Sequence, residues 1–568
     1  MIPLRAVLSL VGLVIPPAVM AAPADDPLAA SPKAPWNAEL AAHLLRRAGF
    51  GGTPEQVERL TRLGRDRAVD LLVDYETIPQ TDADFPADAL MDEPPRGLFA
   101  QLDAEQRMRM QQVIRQLGIG DVAALQDWWL RRMVQTPRPL EEKMTLFWHG
   151  HFTSGFREVR RPRFLYRQNE FLRRNALGDF RTLLMGISRD AAMLAYLDNG
   201  RNVKERPNEN YARELMELFS MGEGHYGEQD VKAAARAFTG WTAERDGRFV
   251  IRSGQHDDGE KTFLGRTGNF DGDDVVNIIM EQPSTSRFLA RKLWRFFVEP
   301  EPAPEIIEAL AEELRSNDFD LRETLRVIFR SDAFYAPKVR FALIKSPAEL
   351  LVTAARQLDV PLADLRMANQ SMSQMGQELF QPPNVKGWDG GRTWITTSTL
   401  FIRYNTMKAL LEGTPGRGGA DRPRIAALLA ERARRDGGEM AGEGRAMMEM
   451  PGGGTGPLAR LAEDVDKLPE PARQWLQSIK LPPRFSQAQP AYDPAPVMAN
   501  HKLRSAEEVV DHYVRRLLAM PLPAERRRLL IEALEPGGQR FDPAAEGAAP
   551  RIRAMIHLVM SMPEYQLN

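Results

Sequence analysis

Apolar residues recur at helical spacing along most of the chain, and this periodicity limits the fold more than any other sequence feature. The first such stretch, residues 36–64, keeps helical spacing on both sides of Gly49, Gly51 and Gly52, which predicts a helical hairpin. Strand-like alternation is scarce, and its best example, residues 248–254, predicts a small β-hairpin. We therefore expect a mainly α fold: one large helical domain with small irregular or short-strand insertions.

The N-terminus has the layout of a secretory signal peptide. A single basic residue, Arg5, precedes an apolar stretch at 6–14, and small residues follow up to Ala21. The apolar stretch is too short to span a bilayer, and Pro16 and Pro17 interrupt its continuation. We expect residues 1–21 to be cleaved and the mature protein to be extracytoplasmic, either periplasmic or secreted.

Composition divides the remaining chain into four segments. Residues 22–35 are rich in Pro and Ala and are predicted to be a linker, and residues 36–412 carry the main helical domain. Residues 413–500 are rich in Gly, Pro and Met with little amphipathic pattern, which predicts a partly flexible insertion. Helical patterning resumes in residues 501–568, which we expect to pack onto the main domain.

Composition also excludes several kinds of chemistry. The chain has no cysteine, so it has no thiol nucleophile, iron–sulfur cluster or cysteine-ligated zinc. Lys plus Arg number 75 against 77 Asp plus Glu, and a net charge of -2 provides no overall field for nucleic acid. No apolar run after the signal peptide is long enough to span a membrane. We expect no nucleic-acid partner and no membrane span in the mature chain.

Two histidines occur two residues apart in WHGHF, residues 148–152. On a helix His149 and His151 would project divergently, whereas on an extended or turn segment both could reach one metal ion. Gly150 between them favours the non-helical case. The alternative is a structural pair that caps carbonyl groups or joins a polar network, and for an isolated motif this alternative is favoured.

The run NENYARELMELFSMG, residues 208–222, predicts an amphipathic helix that Gly222 ends. Three oxygen-bearing side chains share one flank of it: Asn210, Glu214 and Glu217. This stripe could bind a cation or position a general base. Glu209, Arg213 and Glu217 also fit an ordinary ion-pair ladder, and spacing alone favours that solvated face.

Two turn-rich loops carry further candidates. His256 and Asp257 lie in the first, where a carboxylate could orient an imidazole or join it on a metal. Trp388 and Trp394 lie in the second, residues 380–405, and could stack on a ligand such as a sugar or plug the core.

Nine motifs resemble those of a bacterial family of unknown function, numbered 1800. They include HLLRRAGFG with His43, Arg46 and Arg47, then WHGHF, NENYARELMELFSMG, HDDGEKTFLG, KSPAELL, PPNVKGWDGG and the terminal SMPEYQLN. The resemblance covers residues 36–568, with Ser220 and Met221 replacing the family's usual Thr-Leu. It implies a large, often exported helical domain, frequently encoded beside a second exported family, numbered 1501, that resembles sulfatases and alkaline phosphatases.

Because polar motifs characterise this family, we expect them to share one cleft. The predicted ligands of a divalent Zn, Mn or Fe ion are His149, His151, Glu214, His256 and Asp257. The predicted catalytic residues, which would activate water, are Glu214, Glu217, His256 and Asp257. The leading hypothesis is thus a metal-dependent hydrolase. The alternative is a non-catalytic partner or scaffold for the family-1501 protein, and haem ligation by His149 or His151 is a third.

Overall fold

The computed structural model describes residues 26–31, 35–81, 84–414, 467–480, 482 and 485–568. The predicted signal peptide, half of the linker and residues 415–466 of the predicted insertion lie outside these ranges. The described chain is mainly helical and its strands form two small two-stranded sheets, which confirms the predicted fold class. None of its helices combines the length and apolar character needed to cross a bilayer.

The helices up to the second sheet are α1 (Ala38–Arg47), α2 (Pro54–Leu63), α3 (Arg65–Val73), α4 (Ala104–Gln135), α5 (Pro139–His151), α6 (Phe156–Val159), α7 (Pro162–Arg174), α8 (Phe180–Ser188), α9 (Ala191–Tyr196), α10 (Asn210–Glu214) and α11 (Glu228–Ala237). α10 continues directly into a π-helix, Leu215–Ser220. α1 and α2 pack on each other as the predicted hairpin.

The later helices are α12 (Gly272–Met280), α13 (Pro283–Phe297), α14 (Pro304–Ser316), α15 (Leu321–Arg330), α16 (Pro347–Leu358), α17 (Leu365–Gln374), α18 (Thr397–Glu412), α19 (Glu470–Ser478), α20 (Ala495–His501), α21 (Ala506–Leu518), α22 (Ala524–Leu534) and α23 (Ala548–Met560).

The two sheets are antiparallel hairpins between α11 and α12. β1 (Trp241–Ala243) pairs with β2 (Phe249–Ile251), with Trp241 opposite Ile251. β3 (Lys261–Phe263) pairs with β4 (Arg266–Gly268) in the same way. β2 lies within the stretch predicted to form a hairpin, so that prediction is confirmed.

Two large hydrophobic clusters form the core. The first contains residues of α1, α8 and α11 to α15, and the second contains residues of α4, α16 to α18, α21 and α23. α5 contributes to both, because Trp148 is buried in the first cluster and Leu146 in the second. A small third cluster packs Val113 of α4 near Trp475 of α19. The WHGHF motif at the end of α5 is therefore central to the fold.

Candidate functional site

α5 runs through Gly150 and ends at His151, so the expectation of a non-helical WHGHF segment is wrong. Residues two apart on a helix lie on nearly opposite sides. His149 and His151 accordingly contact different segments, one near Phe380 and the other at Phe219. The helix continues through Gly150 because the residues before and after it, such as Trp148 and Phe152, are buried.

His149 holds the loop that follows α17. Its Nε2 accepts a hydrogen bond from the backbone N–H of Phe380 at 3.1 Å. A neutral imidazole that accepts at Nε2 carries its proton on Nδ1. The rings of Trp129, Phe380 and Trp388 surround it with centroid distances of 5.1, 5.3 and 5.7 Å. Burial lowers the pKa of His149 to about 3, so the ring is neutral near neutral pH.

Phe380 has an unusual backbone conformation that these contacts maintain. Its φ is +61°, in the left-handed region, which a bulky aromatic residue rarely adopts. Both of its peptide groups are engaged, because its N–H donates to His149 and its carbonyl accepts from the N–H of Phe156 at 3.0 Å. Such strain persists where the surroundings determine the geometry, and it concentrates at functional sites.

His151 binds the end of the family's longest motif. Its Nε2 donates to the carbonyl of Phe219 at 3.0 Å, so the proton of this ring is on Nε2. Its Nδ1 is buried and has no hydrogen-bond partner in the described chain. Burial, then the charge of Lys292, lowers the pKa of His151 to about 3. Phe219 lies in the π-helix, a rare element that often marks functional sites.

The charged side chains of residues 208–222 form contacts with residues close to them in sequence. Glu217 accepts from the hydroxyl of Tyr226 at 3.1 Å. Arg213 pairs with Glu209 at 3.0 Å and with Glu228 at 2.7 Å, so the ladder exists but ends on Glu228 and not on Glu217. Burial, then the nearby Glu217, raises the pKa of Glu214.

His256 and Asp257 also have separate partners. The Nδ1 of His256 donates to the carbonyl of Thr239 at 2.8 Å. Both carboxylate oxygens of Asp257 accept from Arg236, at 2.7 and 3.1 Å. The hydrogen bond from Arg236 lowers the pKa of Asp257. The imidazole of His256 therefore bonds a main-chain carbonyl, and the carboxylate of Asp257 bonds the guanidinium of Arg236.

The six predicted site residues lie on three segments: α5, the helix over residues 210–220 and the loop at residues 256–257. Within the described ranges, no group of three or more His, Asp or Glu residues is arranged to hold a metal ion. The geometry gives no support to a shared metal centre, and the metal site stays a prediction. Of the two candidate stacking residues, Trp394 is buried and Trp388 lies partly exposed against His149.

Sequence reasoning did not single out two buried charged residues of α5. The first, Glu142, accepts from Arg132 of α4 at 2.5 Å, from Arg173 of α7 at 2.6 Å and from the Trp129 indole at 2.8 Å. Burial alone would raise the pKa of Glu142, but Arg173 and Arg132 outweigh it and lower this pKa. One carboxylate therefore joins three helices.

The second, Lys143, forms an ion pair with Glu349 of α16. Four further buried cations lie near this pair, from HLLRRAGFG, KSPAELL and α18: Arg46, Arg47, Lys345 and Arg403. Main-chain carbonyls take up much of this charge, since Arg47 donates to Val298 and Val339 and Lys345 donates to Tyr565.

One sequence signal for this cluster is present in α1. Arg47 follows Leu40 by seven residues and Leu44 by three, on the stripe that the helix buries. An arginine on an apolar stripe predicts a buried charge. Burial and the neighbouring Arg46 lower the pKa of Lys345 well below its usual value, which reflects the excess of positive charge.

A family model described as "Protein of unknown function (DUF1800)" matches residues 43–567, nearly the whole chain. Comparison with curated proteins and with solved structures gives no match. The matched range includes both histidines of α5, the π-helix, the buried cation cluster and the strained Phe380. This chain therefore belongs to the DUF1800 family.

Proposed function

We propose that the protein is an exported, non-catalytic binding protein that acts as partner or scaffold for the exported sulfatase- or phosphatase-like protein of family 1501. The observation that supports this proposal is the set of hydrogen bonds that the motif histidines form with main-chain atoms. Each of the three predicted site histidines bonds a main-chain atom of another segment: His149 at Phe380, His151 at Phe219 and His256 at Thr239.

These contacts support a structural role for the motifs. A buried imidazole that satisfies a main-chain group joins two segments, and its loss would leave that group without a partner. The three bonds span 231, 68 and 17 residues of sequence. The family motifs thereby define the relative positions of α5, the π-helix and the loop at Phe380, as a rigid binding surface requires.

A metal-dependent hydrolase has less support. It needs His149, His151 and the carboxylates to converge on one ion, whereas their contacts point to separate partners. Glu214 is the remaining candidate for a general base, because it is half-buried and its pKa is raised by burial and by Glu217. A single carboxylate of this kind does not by itself specify a reaction.

Co-expression tests the proposal directly. The full chain would be produced together with an exported family-1501 protein, and the tagged chain would be isolated and sized by light scattering. We expect a stable complex whose formation is the same for the wild type and for Glu214→Gln. Glu223→Gln, an exposed acid on the following turn, is the matched control for charge.

Two results would overturn the proposal. One is recovery of the chain alone although both proteins are expressed and folded. The other is stoichiometric bound metal and ester hydrolysis in the wild type, both lost in Glu214→Gln and retained in Glu223→Gln.

A further inference from the structure

A large cleft opens between residues 91–99, the middle of α4, the segment from α6 into α7 and the turn that joins β1 to β2. Its volume is about 1270 Å³, above the roughly 300–1,000 Å³ typical of pockets for one small ligand. It can therefore hold a ligand of several linked units.

The charge of this cleft differs from that of the whole chain. Among the described residues that line it, eight are arginines, four are Asp or Glu and none is lysine. The whole chain has a net charge of -2. Arginine presents a planar fork of donors that matches carboxylate, sulfate or phosphate with two hydrogen bonds, which lysine does not offer. The lining is thus suited to an anion with planar or forked acid groups.

Five of these arginines have no ion-pair partner in the described chain. One of them, Arg167, donates to the main-chain carbonyl of Asp246, and the other four are exposed: Arg96, Arg115, Arg157 and Arg160. Two of the others are held by neighbouring acids, Arg161 by Glu93 and Arg163 by Asp92, each at 2.7 Å. The paired arginines fix the wall, and the four exposed ones are available to a ligand.

Apolar and amide side chains lie between the charges. Phe99, Ile114 and Phe156 line the cleft together with Gln111 and Gln381. Aromatic and aliphatic surfaces pack against the faces of rings, and amides both donate to and accept from hydroxyl groups. A chain of hydroxylated rings with acid substituents meets each of these groups.

Hydrogen bonds that begin at the motif residue His149 position one wall of the cleft. The N–H of Phe156 donates to the carbonyl of Phe380, whose own N–H is held by His149. Gln126, which also lines the cleft, donates to the carbonyl of Leu379 at 2.8 Å. The strained Phe380 and its neighbour Leu379 therefore connect the motif histidine to two residues of the cleft.

We propose that this cleft binds an acidic oligosaccharide, with its carboxylate or sulfate groups on the four exposed arginines and its rings against Phe99 and Phe156. The inference rests on the proposed binding role and names a ligand class for it. Polyglutamate and single-stranded DNA are also polyanions, so they serve as competing probes.

Calorimetric titration of the full chain tests the inference. The probes are an oligogalacturonate, which carries only carboxylates, a heparin-derived octasaccharide, which adds sulfates, and a neutral malto-oligosaccharide of similar length. We expect at least one acidic probe to bind and the neutral one not to bind. Arg115→Gln with Arg157→Gln should weaken binding by about tenfold or more for each arginine, since charged hydrogen bonds are lost.

The matched control is Arg528→Gln with Arg551→Gln, which removes the same charge from exposed positions outside the cleft. Equal weakening in both double variants would show nonspecific attraction and overturn the site. Tighter binding of polyglutamate or of single-stranded DNA than of either acidic sugar would overturn the ligand class. A complex with the family-1501 protein that forms while every sugar fails would overturn this inference and leave the proposed function intact.

Discussion

A single glycine determines how closely α5 and the loop before Trp388 approach each other. Gly387 has a φ of +86°, and a Cβ on it would lie 2.3 Å from the carbonyl oxygen of Gly150. Thr153 strengthens the same approach by donating to the carbonyl of Val385 at 2.6 Å. Because His149 and Trp388 meet across this contact, its geometry positions the ring that holds Phe380.

Gly387→Ala should destabilise the protein strongly. The positive φ costs roughly 1–2 kcal/mol for any residue with a Cβ, and the clash with Gly150 requires a backbone shift that adds about 1–3 kcal/mol. Gly391→Ala is the control, because Gly391 has a φ of +56° and no atom within 4 Å of the added Cβ. Urea unfolding of both variants measures the difference. Equal losses would mean that the contact at Gly387 is not tight.

At the scale of elements, hydrophobic periodicity is sufficient to predict much of the fold. It correctly indicates the hairpin of α1 and α2 and the hairpin of β1 and β2, because in both cases the buried face is recorded in the local sequence. The predicted interruption of the helix at Gly150 is wrong because the local sequence does not record how deeply the neighbouring residues are buried. A helical glycine costs about 1 kcal/mol, and burial of Leu146 and Trp148 outweighs that cost.

The candidate site was less predictable because its contacts are with main-chain atoms. His149 meets a backbone N–H 231 residues away, and a sequence does not record which backbone group a side chain reaches. The π-helix also changes the stripe that an ideal α-helix predicts, and Glu217 contacts Tyr226 where a bond to Arg213 was expected. Residue types were informative, but the partners depend on tertiary packing.

Glu142→Gln tests how far one buried carboxylate holds α4, α5 and α7 together. The change leaves Arg132 and Arg173 buried with a neutral partner, and we expect a loss of about 3–5 kcal/mol. Glu170→Gln is the control, since Glu170 also pairs with Arg173 but is partly exposed, and it should cost under about 1 kcal/mol. Urea unfolding near neutral pH gives both values. Similar costs would contradict the idea that Glu142 is the central ion.

At the scale of the whole molecule, buried histidines and buried carboxyl groups make the free energy of unfolding depend on pH. Burial lowers the pKa of His149 and His151 to about 3 and that of His512 to about 4, so these rings stay neutral in the folded state. Burial also raises the pKa of Asp127 to about 7 and that of Asp190 to about 6, so these carboxyls retain protons that the unfolded chain releases.

The two sets act in opposite directions between about pH 4.5 and 6.5. Each histidine takes up a proton on unfolding, so its contribution to stability is complete above the unfolded pKa of 6.5 and is lost as the pH falls toward the folded value. Each raised carboxyl releases a proton on unfolding, so its contribution falls as the pH rises. They partly cancel, and we expect a shallow dependence above about pH 5.5 with a steep decline below about pH 4.5.

His512→Gln isolates one histidine from this balance. The His512 ring is neutral in the folded state and protonated in the unfolded state. Its removal should therefore reduce the fall in the free energy of unfolding by about 1.4 kcal/mol per pH unit between roughly pH 6 and 4.5. His225→Gln is the control, because it removes an exposed histidine. Free energies of unfolding in urea, measured from about pH 7 to about pH 4, give the slope. A slope in His512→Gln equal to that of the wild type would mean that His512 is already protonated in the folded protein, contrary to its burial.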